Sequence, residues 1–317
     1  MPYAGSVCLA ALLALGAKQA PAQEQPQDTA KITAFAEETL TTDDNVFRIS
    51  RQADPLTVIG FASRGDTYRT TSAGLSADVP VSLQRLQATL TYNSYRYDRF
   101  HALDYDGYSL RGSWLWQIGS NLSGQLGVTE DYSLTPFSQA LGVRPNHLHL
   151  REEFAKGSWL VTPDWKLYAA ADDLSQSNSD LMGQYNNVTV DSLEASLSRA
   201  GGTGNWFGLD TRYEHGHYPV AQPISVPVCP AGPATPPVCV DNGYSQYGFG
   251  VVVDFGADTP SHVVARAEQV TRHYDQVTVR NFNRTTGRLE YTWTPDVKVS
   301  VSALAERDIS PYEYIHS

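Results

Sequence analysis

Three observations predict an all-β chain, an antiparallel transmembrane β-barrel of the outer-membrane type. Apolar and polar residues alternate with period two through most of the sequence. The alternating stretches are about ten residues long, the length at which a tilted strand crosses a hydrocarbon layer. The connections between them alternate between short and long, as periplasmic turns and outer loops do.

Residues 108–132 show the pattern best. Tyr108, Leu110, Gly112, Trp114, Trp116 and Ile118 share one face, opposite Ser109, Arg111, Ser113 and Gln117, with Leu115 intruding on the polar side. After Gly119-Ser120-Asn121, Leu122, Leu126, Val128 and Tyr132 oppose Ser123, Gln125, Thr129 and Asp131, which completes a hairpin. Tyr and Trp near the strand ends suit an interfacial girdle. A single such hairpin also fits a soluble sandwich, so repetition has to decide.

Taken in order, residues 1–22 read as a signal peptide: an apolar run over 7–17, too short to span, precedes Ala20-Pro21-Ala22. Cys8 would leave with it. Residues 23–30 form a polar leader, and 31–317 the outer-membrane barrel domain. A first strand spans 31–40, and 41–48 reads as a turn or plug-like segment. Alternation returns over 67–77, and 78–82 reads as a tight turn. In 83–97, Leu86, Ala88, Leu90 and Tyr92 oppose Gln87, Thr89, Thr91 and Asn93.

Strand signals follow at 148–161, at Trp165, Leu167, Ala169 and Ala171, and over 188–199 with Leu193, Ala195 and Leu197 on one face. Phe207, Leu209 and Tyr213 oppose Asp210, Arg212 and Glu214. Beyond a Pro- and Cys-bearing loop at 219–242 come Tyr247, Phe249, Val251, Val253 and Phe255, then 262–274, 284–294 and 297–305. Short connections fall near residues 79, 119, 163, 202, 257 and 295, and long ones near 100, 139, 178, 230 and 279.

With Lys+Arg 23 against Asp+Glu 34 and a net charge of -11, the chain lacks the basic balance that nucleic-acid binding uses. Its 18 Tyr, 6 Trp and 2 Met, with a mean hydropathy of -0.33, are unlike a helical membrane protein. Cys229 and Cys239 flank a Pro-rich loop that a disulfide would close; a metal site there would lack any His or carboxylate between them.

Enzyme signals are weak. No nucleophile elbow, phosphate-cradling loop or Cys-x-x-Cys pair occurs, and no catalytic residue, cofactor or metal is implied. His147-x-His149 and His215-x-His217 could each chelate from one strand face, or simply end a strand near solvent. Glu152-Glu153 and Asp172-Asp173 point to opposite faces, so neither forms a dyad. Asp43-Asp44-Asn45 could hold a cation but also suits an Asx-rich turn. If the apolar face meets lipid, the lumen is lined by Gln87, Thr91, Arg111, Gln125, Asp131, Asp210, Arg212, Glu214, Arg266, Glu268, Arg288 and Glu290. Charges of both signs suit a hydrated passage, or alternatively a closed, salt-bridged interior.

The export signal, DDNVFR at 43–48, SLQRLQATLTYNSYRYDRF at 82–100, YDGYSLRGSWLWQI at 105–118 and RYEHGHYP at 212–219 together resemble the EpsL family. These are outer-membrane β-barrel proteins encoded with exopolysaccharide biosynthesis and exosortase systems in Gram-negative bacteria. The resemblance spans nearly all of the mature chain. It implies a porin-like role in transport of extracellular polysaccharide across the outer membrane, with outer-membrane lipid and other export components as partners. The family's barrels continue for several more strands, whereas this chain stops at 312–317 without a terminal aromatic. The expectation is therefore a C-terminally truncated barrel, acting as a passive conduit or, alternatively, as a non-channel scaffold or polysaccharide-binding surface.

Overall fold

The computed structural model describes residues 29–135, 145–201, 204–223, 239–257, 259–296 and 299–307. The expected signal peptide, Cys229 and the final residues lie outside them. The strands are β1 (Lys31–Asp43), β2 (Asp66–Val81), β3 (Gln84–Tyr97), β4 (Tyr105–Ile118), β5 (Leu122–Leu134), β6 (His147–Thr162) and β7 (Trp165–Asn178). There follow β8 (Val188–Ala200), β9 (Trp206–His217), the small ribbon β10 (Gln222–Pro223) with β11 (Cys239–Val240), β12 (Tyr244–Phe255), β13 (Ser261–Tyr274), β14 (Phe282–Asp296) and β15 (Val299–Arg307).

The chain is all-β and antiparallel. Among the described residues thirteen strands form one sheet in which each pairs with the next in sequence, β9 passing over the ribbon to β12. Among the described residues β1 and β15 are its two edges. The connections sort as the sequence predicts: 82–83, 119–121, 163–164, 201–205, 256–260 and 297–298 are short, and 98–104, 135–146, 179–187, 218–243 and 275–281 are longer. The short turns use left-handed backbone at Ser82, Gly119, Gly204 and Gly256. Gly256 has φ +77, and a Cβ there would run into the Ser261 carbonyl oxygen, so the turn requires glycine.

One turn lies elsewhere than expected. Residues 78–81 remain in β2, with Pro80 opposite Arg85, and the chain reverses at Ser82. Proline is tolerated near a strand end, and the outward series Ala77, Val79, Val81 continues through it, so period two outweighed the local turn residues.

The 44–65 connection contains a small apolar core, where Val46 and Phe47 pack with Tyr97, Phe100 and Leu103. Phe100 meets the ring edges of Phe47 and Phe61 at 5.0 Å. The buried Asp66 carboxylate accepts the backbone N–H groups of Arg99 and Phe100 at 3.0 and 2.8 Å, tying this core to β2. Of residues 41–48, expected as a turn or plug-like segment, Thr41, Thr42 and Asp43 instead complete β1, paired with Tyr68, Thr67 and Asp66; the chain folds back only after them, with Arg48 bonding Asp43 at 3.0 and 2.7 Å. Helix α1 (Pro55–Ile59) begins at Asp54, whose carboxyl the Thr57 hydroxyl holds below its usual range. No helix among the described residues is long and apolar enough to cross a membrane.

Candidate functional site

Every residue predicted to line the lumen lies on one face of the pleat. Gln87 pairs with Ser113, Thr91 with Ser109, Arg111 with Thr129, and Asp131 lies opposite Ser109. Gln125 pairs with Lys156, which pairs with Ala170, then Glu194, then Arg212, so the same face runs unbroken into β9. Asp210 lies opposite Gly250, Gly250 opposite Glu268, and Arg266 opposite Arg288, which carries the face to β14.

The opposite face is apolar and exposed: Leu90, Leu126, Leu193, Leu209, Phe249, Val251 and Leu289 all stand in the open. Asp210 is 3% exposed and Glu268 8%, whereas Leu193 is 58% and Phe249 61%. This inverts the burial of a soluble domain, in which leucine is inside and carboxylates are outside. Toward the short turns the apolar face ends in Trp159, Trp165, Phe207, Phe255 and Trp293; toward the long connections it ends in Tyr92, Tyr108, Tyr132, Tyr213 and Tyr247. Two aromatic borders around an apolar band are what a bilayer's two interfaces select.

The polar face is the concave one. Arg266 on β13 donates from Nε to Asp210 Oδ2 on β9 at 2.8 Å, and its Nη2 lies 3.2 Å from Glu194 on β8 and its Nε 3.7 Å from Glu268. β13 and β8 are three strand spacings apart, roughly 14 Å on a flat sheet. Curvature brings these side chains together. Gly248 and Gly250 on the intervening β12 leave the space: a Cβ at Gly250 would stand 3.1 Å from Asp210 Oδ1, and one at Gly248 would collide with the Glu268 carboxylate.

A second group adjoins this one. Arg272 donates from Nε to Gln246 Oε1 at 2.8 Å, Gln246 Nε2 donates to Glu214 Oε2 at 2.7 Å, and Arg272 lies over the Tyr244 ring at 3.8 Å. Arg212 Nε is 2.9 Å from Glu214 Oε1 but too poorly aligned to hydrogen-bond, and Asp210 Oδ1 and Ser192 Oγ have no hydrogen-bond partner among the described residues. Glu194 and Arg272 belong to the wall as well, although neither was among the residues predicted to line it, and Gln246 joins them from the polar side of β12. Alternation contained the signal, since Glu194 stands between outward Leu193 and Ala195, and Arg272 continues the series of Arg266 and Glu268.

The β1–β7 side of the wall is looser. Arg111 is 67% exposed and 3.9 Å from Asp131, and Gln87 Nε2 stands 3.4 Å from Asp78, the carboxylate that Arg85 binds at 2.7 Å. Arg288 and Glu290 meet at 3.3 Å in the open.

His147, His149 and His215 engage neighbours instead of their paired histidines. His149 Nε2 lies 2.8 Å from Glu130, which also accepts the Tyr108 hydroxyl at 2.6 Å. His147 stacks on Tyr132 with centroids 5.5 Å apart, and His215 Nδ1 is 3.3 Å from Ser245 Oγ. Among the described residues no group of three or more His, Cys, Asp or Glu could hold a metal. Glu153, Asp173 and Asp191 do align across β6, β7 and β8 on the outer face, a juxtaposition that only the register creates. Cys239 is disulfide-bonded, while its expected partner Cys229 lies outside the described residues.

No family model and no curated protein matches the chain. Solved structures similar to it include the alcaligin outer membrane receptor FauA from Bordetella pertussis, at 16% identity and TM-score 0.42. That likeness covers 73% of this chain, which spans only 40% of the receptor. Another is a deltaS2 mutant of the TodX monoaromatic hydrocarbon channel, at 10% identity and TM-score 0.39, covering 88% of this chain and 84% of that one. Similarity at this level carries no functional argument.

Proposed function

We propose that the chain forms an outer-membrane β-barrel wall whose concave face is a passive, hydrated conduit for extracellular polysaccharide, with no chemistry of its own. The observation that carries this reading is the inverted pleat, with exposed apolar residues on the convex side and buried charge on the concave side. Lipid suits the first face and a polar solute the second. The polymer class rests on the resemblance of 43–48, 82–100, 105–118 and 212–219 to exopolysaccharide-associated barrels. Other components of an export system would then be partners.

A closed scaffold that binds polymer outside is the second reading. It is favoured by the density of ion pairs between β8 and β13, which fills part of the concave side. Planar bilayers separate the two. The purified full chain is expected to give steady, voltage-independent conductance in salt solution. A folded protein that inserts and never conducts would overturn the conduit and leave the scaffold.

A further inference from the structure

The looser side of the concave wall has its own chemistry. On adjacent strands β3 to β6, Arg85, Leu115, Gln125 and Lys156 form one cross-strand row. Next to it, toward the short turns, Gln117, Ser123, Ser158 and Tyr168 form a second row on β4 to β7. Arg85, Gln117, Gln125, Lys156, Ser158 and Tyr168 line a cavity of about 1120 Å³ that reaches Ser82 and Leu83 in the β2–β3 turn.

Two features distinguish this cavity from the ion-paired wall opposite. First, its polar groups are largely unengaged. Among the described residues the side chains of Gln125, Ser158 and Tyr168 make no hydrogen bond, and the Lys156 ammonium lies 4.5 Å from the Phe154 ring centroid without an acidic partner. Second, its charge is positive in a chain whose net charge is -11. Lys156 has no carboxylate partner among the described residues, and Lys166, on the same face of β7, lies 4.6 Å over the Trp206 ring. Arg85 is held by Asp78. Amides, hydroxyls and a tyrosine edge bond sugar hydroxyls; an unpaired ammonium among them adds a counter-charge that a neutral sugar would not use.

We propose that this cavity binds an anionic oligosaccharide, with Lys156 pairing with a uronate carboxylate and Gln125, Ser158 and Tyr168 bonding the sugar hydroxyls. The proposal rests on the polar face being the solute-facing wall, and it narrows the solute from polysaccharide in general to an acidic one. Arg85 and Lys156 stand three strand spacings apart, roughly 14 Å, so a short oligomer spans the row.

The test is calorimetric titration of the full chain in lipid nanodiscs with trigalacturonate and, separately, with neutral maltotriose. Trigalacturonate is expected to bind roughly tenfold tighter than maltotriose and to weaken as salt rises. Lys156→Glu should abolish this preference, Lys156→Arg should retain it, and Gln125→Lys, adding a cation to the same row, should strengthen it. Equal binding of the two sugars overturns the proposal, as does Lys156→Glu that folds and binds like wild type. If Lys156→Glu does not fold, an unchanged preference in Gln125→Lys overturns it. Conductance of the same preparation separates the two ideas: conduction without preference removes the acidic-sugar site alone, and preference without conduction removes the open conduit alone.

Discussion

Arg266→Met is expected to lower the stability of the folded chain by roughly 3–5 kcal/mol, because it leaves buried carboxylates without their cation. Arg266 is 27% exposed and is shared by Glu194, Asp210 and Glu268, of which the Asp210 side chain is 2% exposed and the Glu268 side chain 10%. Among the described residues no other arginine serves so many carboxylates, and Asp210 Oδ1 already lacks a hydrogen bond there. The loss should appear as a lower urea midpoint for the protein in lipid vesicles, followed by tryptophan fluorescence. Adding Asp210→Leu to Arg266→Met should recover part of it, since removing both members of a buried pair costs less than removing one. Arg288→Met, at a pair exposed by 54% and 46%, should change the midpoint by less than about 1 kcal/mol.

The second large effect belongs to the other face. Val251 on β12 is 48% exposed, between Leu209 and Ala267 on the neighbouring strands. In water Val251→Arg would be a mild surface change, within about 0.5 kcal/mol. In a bilayer it places a guanidinium in hydrocarbon and should cost roughly 2–4 kcal/mol. Gln269→Arg, on the same face but nearer the long connections, should cost about 0–1 kcal/mol. Gln87→Arg, on the concave face, should be nearly silent. The contrast between Val251 and Gln87 separates a lipid-facing surface from one that is merely exposed.

Face assignment was legible in the sequence because period two is a local property. Leu86, Leu90, Gln87 and Thr91 declare their sides without knowledge of the partner strand, and the short-long order of connections followed from turn residues. What the sequence hid depends on register and curvature. Arg266 and Glu194 lie far apart in the chain and meet only because the sheet bends and β12 carries glycine between them. The row of Glu153, Asp173 and Asp191 is hidden for the same reason: carboxylates adjacent in the chain face opposite sides, and only the strand register brings these three together. The 44–65 connection was opaque too, since its apolar residues pack on Tyr97 at the end of β3 and on Phe100 beyond it, and follow neither period. At Pro80 a strong local turn signal misled, and the outward valines on either side were the better guide.

On the proposed reading the apolar convex face meets lipid and the charged concave face meets water. Spin labels placed singly at Leu90, Val251 and Leu289, and at Gln87, Arg111 and Gln125, test it most directly in reconstituted vesicles. Labels at the first three positions should collide readily with oxygen, which concentrates in hydrocarbon, and poorly with a water-soluble nickel chelate. Labels at the other three should show the reverse. Equal accessibility on the two faces, or nickel contact at Leu90 and Val251, would contradict the account.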